Sequence, residues 1–214
     1  MKKITNLFIL SLGMILFACS PSTKILGSWA SPEKQAGGYN DIMILGISES
    51  VIGRQTFEDQ VQNVLTQDGI KASNSSSIIP PGTRPSESEK EKFAQQLRAK
   101  GHDAILTVAL LDQTNETRYV PGTTAYAPMG YGGYYRSYWG YYNYYSPLMY
   151  DPGYYTTDKN YYLEANLYDV NTEQLVWSSQ SETTNPANLE AFARAFAMVI
   201  SDQMIKDGII IKKK

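Results

Sequence analysis

The sequence predicts an α/β fold: a single mixed sheet of about five strands with three packed helices, in the order β-α-β-α-β, an insert, then β-β-α. Three observations predict it. Two runs, Asp41 to Ile47 and Ala104 to Leu111, are continuously apolar, as strands buried on both faces are. Three segments carry apolar stripes of helical period, and Gly69, Gly101 and Gly208 follow them at the position where a helix C-cap adopts left-handed backbone. Two further apolar stretches flank the short polar run Asn171-Thr172-Glu173, the pattern of a hairpin. Strands alternating with helices form layers around one core.

The elements follow in order. Lys2 and Lys3 precede an apolar stretch from Ile4 to Phe17, the length of a secretory h-region and too short to span a bilayer. Leu16-Phe17-Ala18-Cys19 ends it and resembles the lipobox of bacterial lipoproteins. The resemblance implies a signal peptide over 1–18 and a Cys19 that carries a diacylglyceryl group and becomes the N-terminus. Cys19 is the only cysteine, so its modification leaves no thiol for a disulfide and stability must come from a packed core. Residues 19–38 read as tether and lead-in, with Ile25, Leu26 and Trp29 on the edge of the domain, and 39–214 as the α/β domain.

After the first strand, Phe57, Val61, Val64 and Leu65 form one stripe of a helix, with Thr56 and Asp59 as a capping pair at its start. A short strand over Ile70 to Ala72 and a loop from Asn74 to Pro85 come next. Ser86-Glu87-Ser88-Glu89 has capping-box spacing and opens a second helix whose inner face is Phe93, Ala94 and Leu97. The strand beginning at Ala104 continues as an edge strand toward Tyr119. In the hairpin, Leu163, Ala165, Leu167 and Asp169 share a face, and Leu175-Val176-Trp177 begins the return. Asn185 and Pro186 break it. Leu189, Phe192, Ala193, Phe196, Ala197 and Ile200 mark a long amphipathic helix, and Ile209 to Ile211 read as a last short strand.

Two motifs resemble a group of bacterial envelope lipoproteins: Lys100-Gly101-His102-Asp103-Ala104-Ile105-Leu106-Thr107 at a helix–strand junction, and Tyr168-Asp169-Val170-Asn171-Thr172-Glu173-Gln174-Leu175-Val176-Trp177-Ser178 at the hairpin. The group includes the curli-secretion lipoprotein, the lipoprotein activators of penicillin-binding proteins and the N-terminal domain of the Tol-Pal propeller protein. His102 stands where the group has alanine, and Glu173 where it has the turn glycine, which leaves the turn's backbone in question. The resemblance implies a non-catalytic binding or assembly role and transfers no functional residue.

The residues themselves offer little catalytic chemistry. The net charge of −2 gives no basic footprint for nucleic acid. His102 is the only histidine, it lacks a Gly-x-Ser-x-Gly elbow, and it reads as a cation at a helix C-terminus. Neither a zinc site nor a phosphate loop is predicted, and no cofactor. Glu58, Asp59, Glu89 and Glu91 read as solvated helix positions.

The unusual segment is a tyrosine- and glycine-rich insert at about 120–160. Tyr131, Tyr134, Tyr135, Tyr138, Trp139, Tyr141, Tyr142, Tyr144 and Tyr145 form a candidate binding surface of rigid rings with hydroxyl handles. Its targets would be a glycan, an envelope protein or the membrane interface; a low-complexity loop without a partner is the plain alternative. The expected protein is therefore a non-enzymatic, lipid-anchored envelope module. Ser20 after the modified cysteine favours the outer membrane, facing the periplasm. The competing expectation is a carbohydrate-binding or glycan-acting lipoprotein that uses the insert.

Overall fold

A computed structural model describes residues 22–80, 87–120 and 154–213. The leader, Cys19, the Ser86 cap and the ring surface from Tyr131 to Tyr145 lie outside these residues. The described elements are β1 (Ser22–Ala30), β2 (Asp41–Ile47), α1 (Val51–Gln67), β3 (Lys71–Asn74), a 3-10 turn (Ser75–Ser77), α2 (Glu87–Lys100), β4 (Ala104–Val120), β5 (Tyr154–Asp169), β6 (Leu175–Thr184) and α3 (Leu189–Lys206). They divide into two compact units. The main one holds the described residues up to Thr114 and from Asn160 onward; the second runs from Asn115 to Lys159.

The strands form one six-stranded sheet in the order β1-β6-β5-β4-β2-β3. β2 runs parallel to β3 and β4, whereas β5, β6 and β1 are antiparallel in succession. Alternate residues of β2 serve two clusters. Ile42 and Ile44 join Leu106, Val108, Leu163, Leu167 and Trp177 under α1 and α3, which contribute Val61, Leu65, Phe196 and Ile200. Met43 and Leu45 join Leu97, Phe93 and Ile105 under α2 on the opposite face. This two-sided burial is why β2 is continuously apolar in sequence. The residues of β5 that face the main cluster are Leu163, Ala165 and Leu167, as their alternation predicts.

Several expectations are corrected. The sheet has six strands because the lead-in contributes β1, paired with β6. A register shift between Ile25 and Gly27 breaks the alternation of β1, which is why it does not read as a strand. Leu26 and Trp29 stay exposed there, and Ile25 packs against the core. β4 lies between β2 and β5, so it is not an edge strand. β4 and β5 reach Val120 and from Tyr154, narrowing the predicted insert from both sides. The short strand expected at Ile70 begins at Lys71.

Ile209 to Ile211 form no strand. The amides of Ile209 and Ile210 are spent on the Met204 carbonyl at the end of α3, and Ile209 offers its own carbonyl to Tyr39 N at 2.9 Å. Helix α1 starts one turn before Thr56, at Val51, because Ser50 caps it by accepting a bond from Gly53 N at 3.0 Å. The three helix-ending glycines all have positive φ: 83° at Gly69, 81° at Gly101 and 68° at Gly208.

The hairpin turn resolves the question raised by Glu173. Its φ is +58°, so it adopts the glycine-like conformation despite its side chain. Asp169 makes this workable: its Oδ1 accepts bonds from Asn171 N at 2.8 Å and Thr172 N at 3.0 Å. The Arg98 guanidinium then meets the Glu173 carboxylate at 2.7 Å.

In the second unit the Tyr119 and Tyr155 ring centroids lie 5.2 Å apart, and the Thr117 and Thr157 hydroxyls 3.5 Å apart.

Candidate functional site

The carboxyl ends of parallel strands are where open α/β sheets bind ligands. In the main unit the carboxyl end of β2, where Ile47 pairs with Ala109 of β4, opens into an apolar pocket of about 390 Å³. Each wall follows from local structure. β2 ends at Ile47, and the chain turns through Ser48 into the capped start of α1. β4 and β5 present Val108, Leu110, Tyr161 and Leu163. Past β6, Pro186 stops the sheet, and Asn188 caps α3 by accepting from Ala191 N at 2.8 Å.

The pocket floor is an aromatic cluster. Phe57 and Phe192 meet edge to face with centroids 5.1 Å apart at 87°, and Tyr161 lies 5.1 Å from Phe192. Such pairs add about 0.5–1.5 kcal/mol beyond area burial and fix the ring positions. Exposed apolar side chains border the pocket: Ile47, Leu110 and Leu189 from its lining, and Val51 and Ile52 next to the lining residues Ser50 and Gly53. Ile47 is 58% exposed, Val51 54%, Ile52 74%, Leu110 52% and Leu189 40%.

One charged residue lines the pocket, Arg54, and its guanidinium is already engaged. Nε bonds Glu58 Oε1 at 2.8 Å, and Nη2 donates to Ser75 Oγ at 2.5 Å and to the Ile79 carbonyl at 2.8 Å. Glu58 also accepts from Gly46 N at 3.0 Å and from Ser75 Oγ at 2.6 Å. Glu58 is only 1% exposed, which overturns its reading as a solvated helix residue. The i, i+4 spacing of Arg54 and Glu58 was the available signal, but nothing in the sequence says that Ser75 and Gly46 close over the pair. Asp59 is tied too, accepting from Asn74 Nδ2 at 2.5 Å. The side chains of Glu89 and Glu91 lie outside the described residues.

The opposite end of the parallel strands is polar and internally satisfied. His102 does not point at the carbonyls ending α2. Its Nδ1 lies 2.6 Å from Asp41 Oδ1, and its Nε2 lies 3.5 Å from Ser73 Oγ. This order of groups has the connectivity of a serine–histidine–aspartate triad without its geometry. The serine contact is at the outer limit of a hydrogen bond, and Ser73 sits within the short regular strand β3 rather than on a strained turn. The arrangement ties the start of β2 to β3. Asp103 accepts from Asn40 N at 2.7 Å and Asp41 N at 3.0 Å. Burial raises its pKa, against the lowering effect of those two bonds. Tyr39 is pushed up to about 12, chiefly by burial, and stays protonated while donating to Asp169 Oδ2 at 3.1 Å.

Among the described residues, no three His, Cys, Asp or Glu side chains gather to hold a metal ion. No described helix is long and apolar enough to cross a membrane. The pocket residues were legible only in part: Phe57, Leu189 and Phe192 appear in the helical stripes, but as core. Val51 and Ile52, apolar residues just ahead of the expected helix start, were the missed signal of an open rim.

No family model matches the chain, and no curated protein matches it. Among solved structures, the chain is similar to the PelC dodecamer from Paraburkholderia phytofirmans. That match has 17% identity, spans 84% of this chain and 96% of that one, and has a TM-score of 0.45. It is also similar to lipoprotein GNA1162 from Neisseria meningitidis, at 12% identity over 78% of this chain and 99% of that one, with a TM-score of 0.38.

Proposed function

We propose that the chain is a lipid-anchored bacterial envelope protein that acts as a non-enzymatic binding module, with the apolar pocket and rim at the carboxyl end of β2, beside β4, as its binding surface. The observation that carries this reading is the composition of that end. A packed aromatic floor is bordered by the exposed lining side chains Ile47, Leu110 and Leu189, with Val51 and Ile52 exposed beside them, and the one charged lining residue is engaged by Glu58, Ser75 and Ile79. With its one charged lining residue engaged in hydrogen bonds, the pocket supports binding rather than turnover. Anchorage through Cys19, outer-membrane placement and a periplasmic orientation belong to the same proposal and rest on the lipobox and Ser20.

Photocrosslinking in the native envelope tests it. A benzoylphenylalanine probe replaces Leu189 at the rim or, as control, Glu33 in the turn beyond the far end of β1. The expected result is a discrete adduct from position 189 alone, lost in a Cys19→Ala background; its mass identifies the partner as protein, glycan or lipid. The same adducts from both positions, or adducts indifferent to Cys19→Ala, would overturn the reading.

A further inference from the structure

We infer that the apolar rim faces the membrane that anchors the chain, and that the ligand of this end is the phospholipid of the anchoring leaflet. This deepens the reading above and rests on acylation at Cys19. The argument is one of chain length and register. Ser22, the first residue of β1, pairs with Thr184, and Thr184 pairs with Asn160. Thr184 is two residues before Pro186 and Asn160 is next to Tyr161, both of which line the pocket. The described chain therefore begins level with the pocket, on the side from which β4 and β5 continue to Val120 and Tyr154. Ala30, paired with Trp177, lies at the other end of β1.

Cys19 precedes Ser22 by three residues. Three residues span at most about 10 Å when fully extended. The headgroup layer of one leaflet is about 5–7 Å thick. A thioether-linked glyceride at the base of that layer leaves Ser22 just above the headgroups, with no slack to swing the domain over. Ser22 is therefore held close to the headgroups, and the apolar rim at the same level of the sheet is the surface placed to meet them.

The side chains at that level suit the position. Val51 and Ile52 occupy the first turn of α1, where solvated helices carry polar residues. Ile47, Leu110 and Leu189 continue the same surface around the pocket mouth. Apolar side chains of this kind bury about 5–10 Å into the headgroup–acyl boundary. The nearby Glu49 and Glu190 carry negative charge, so contact through apolar area, not attraction to anionic lipid, holds the surface down. An acyl chain displaced by the rim is the ligand whose chemistry matches the Phe57–Phe192 floor.

The test uses the acylated full chain in vesicles of phosphatidylcholine alone. Because the lipid consumes the only native cysteine, a single engineered cysteine takes a spin label cleanly. Labels at Ile52→Cys, Leu189→Cys and, at the far end, Glu33→Cys are compared for relaxation by oxygen, which partitions into lipid, and by a water-soluble nickel chelate. The expected result is loss of nickel accessibility and gain of oxygen accessibility at 52 and 189, with 33 open to nickel. Full nickel accessibility at 52 and 189 in protein that floats with the vesicles would overturn the membrane-facing surface. The binding-module reading would survive if the envelope adducts from position 189 persist. Protein that fails to float would overturn both the anchor and this orientation.

Discussion

The two ends of the parallel strands are built from opposite chemistry. At the amino ends of β2, β3 and β4, polar groups close on one another. Asp103 caps two amides, His102 bridges Asp41 and Ser73, Lys71 pairs with Asp41, and Tyr39 reaches Asp169. At the carboxyl ends of β2 and β3, beside the middle of β4, the polar groups are sunk behind the wall as Arg54, Glu58 and Ser75, and the surface is left apolar. One end has its partners within the chain. The other has none among the described residues, and its exposed apolar area is the kind that marks an interaction site. Stability and binding are thus segregated along the strand direction.

The largest expected effect comes from the buried pair under the pocket. Glu58→Ala leaves the Arg54 guanidinium without its carboxylate and Gly46 N without its acceptor, a change that costs about 3–5 kcal/mol. Urea denaturation would show it as a fall in midpoint with an unchanged slope. The double substitution Arg54→Met with Glu58→Leu removes both charges and restores most of the loss, since desolvation offsets much of what such a pair contributes. A double variant no better than Glu58→Ala would mean the pair is held by its bonds to Ser75 and Ile79 more than by its own attraction. In that case the carboxyl end is as dependent on polar closure as the amino end, and the contrast fails.

At the polar end, Asp103→Ala strips the acceptor from the amides of Asn40 and Asp41. An unsatisfied buried donor costs about 1–3 kcal/mol. Amide hydrogen exchange should speed up at Asn40 and Asp41 while the rim amides of α1 stay as protected as before.

Acid should act on the polar end first. Burial opposes ionisation at Asp68 and Asp207, but hydrogen bonds outweigh it: Lys212 and Ser201 on Asp68, Trp177 and Gln203 on Asp207. Both pKa values are lowered from 3.8. A lowered folded pKa contributes stability that is present above the unfolded value and is lost as pH falls through the folded one. Asp103, raised by burial, works in reverse: its ionisation costs stability as pH rises past 3.8 toward its folded value. Urea midpoints followed down through the carboxylate range should fall, and Asp207→Asn should flatten that fall by removing one of the two groups responsible. An unaltered pH profile in Asp207→Asn would show that the Trp177 Nε1 bond at 2.9 Å does not depend on the charge.

How much of this was readable from the sequence follows from which signals are local. Period-two and helical stripes are local, so β2, the turn of the hairpin and the start of α3 were found close to where they lie, although β5 begins seven residues before the expected Tyr161. β1 was missed because its bulge interrupts the one pattern that marks a strand. Glu58 was misread because burial of a charge depends on Ser75 and Gly46, distant groups that the sequence does not place beside it. The rim was missed for the converse reason: apolar residues are assigned to the core by default, and only the fold shows that Val51, Ile52 and Leu110 stay exposed. The glycine-like turn at Glu173 shows the limit of substitution reasoning, since Asp169 supplies locally what the missing glycine would have given.

The smallest effect on stability is expected at the rim, and there the comparison is sharpest. Ile52 is 74% exposed, so Ile52→Ser removes little buried area and should change unfolding free energy by no more than about 0.5 kcal/mol. A core substitution such as Phe196→Ala, in a side chain fully buried under α1, should cost about 3–5 kcal/mol instead. If Ile52→Ser destabilises the chain like a core variant, the rim is part of the packing and the apolar surface is not free to bind. If it leaves stability untouched but weakens the adduct from position 189, an isoleucine that contributes nothing to the fold is there for what lies outside it.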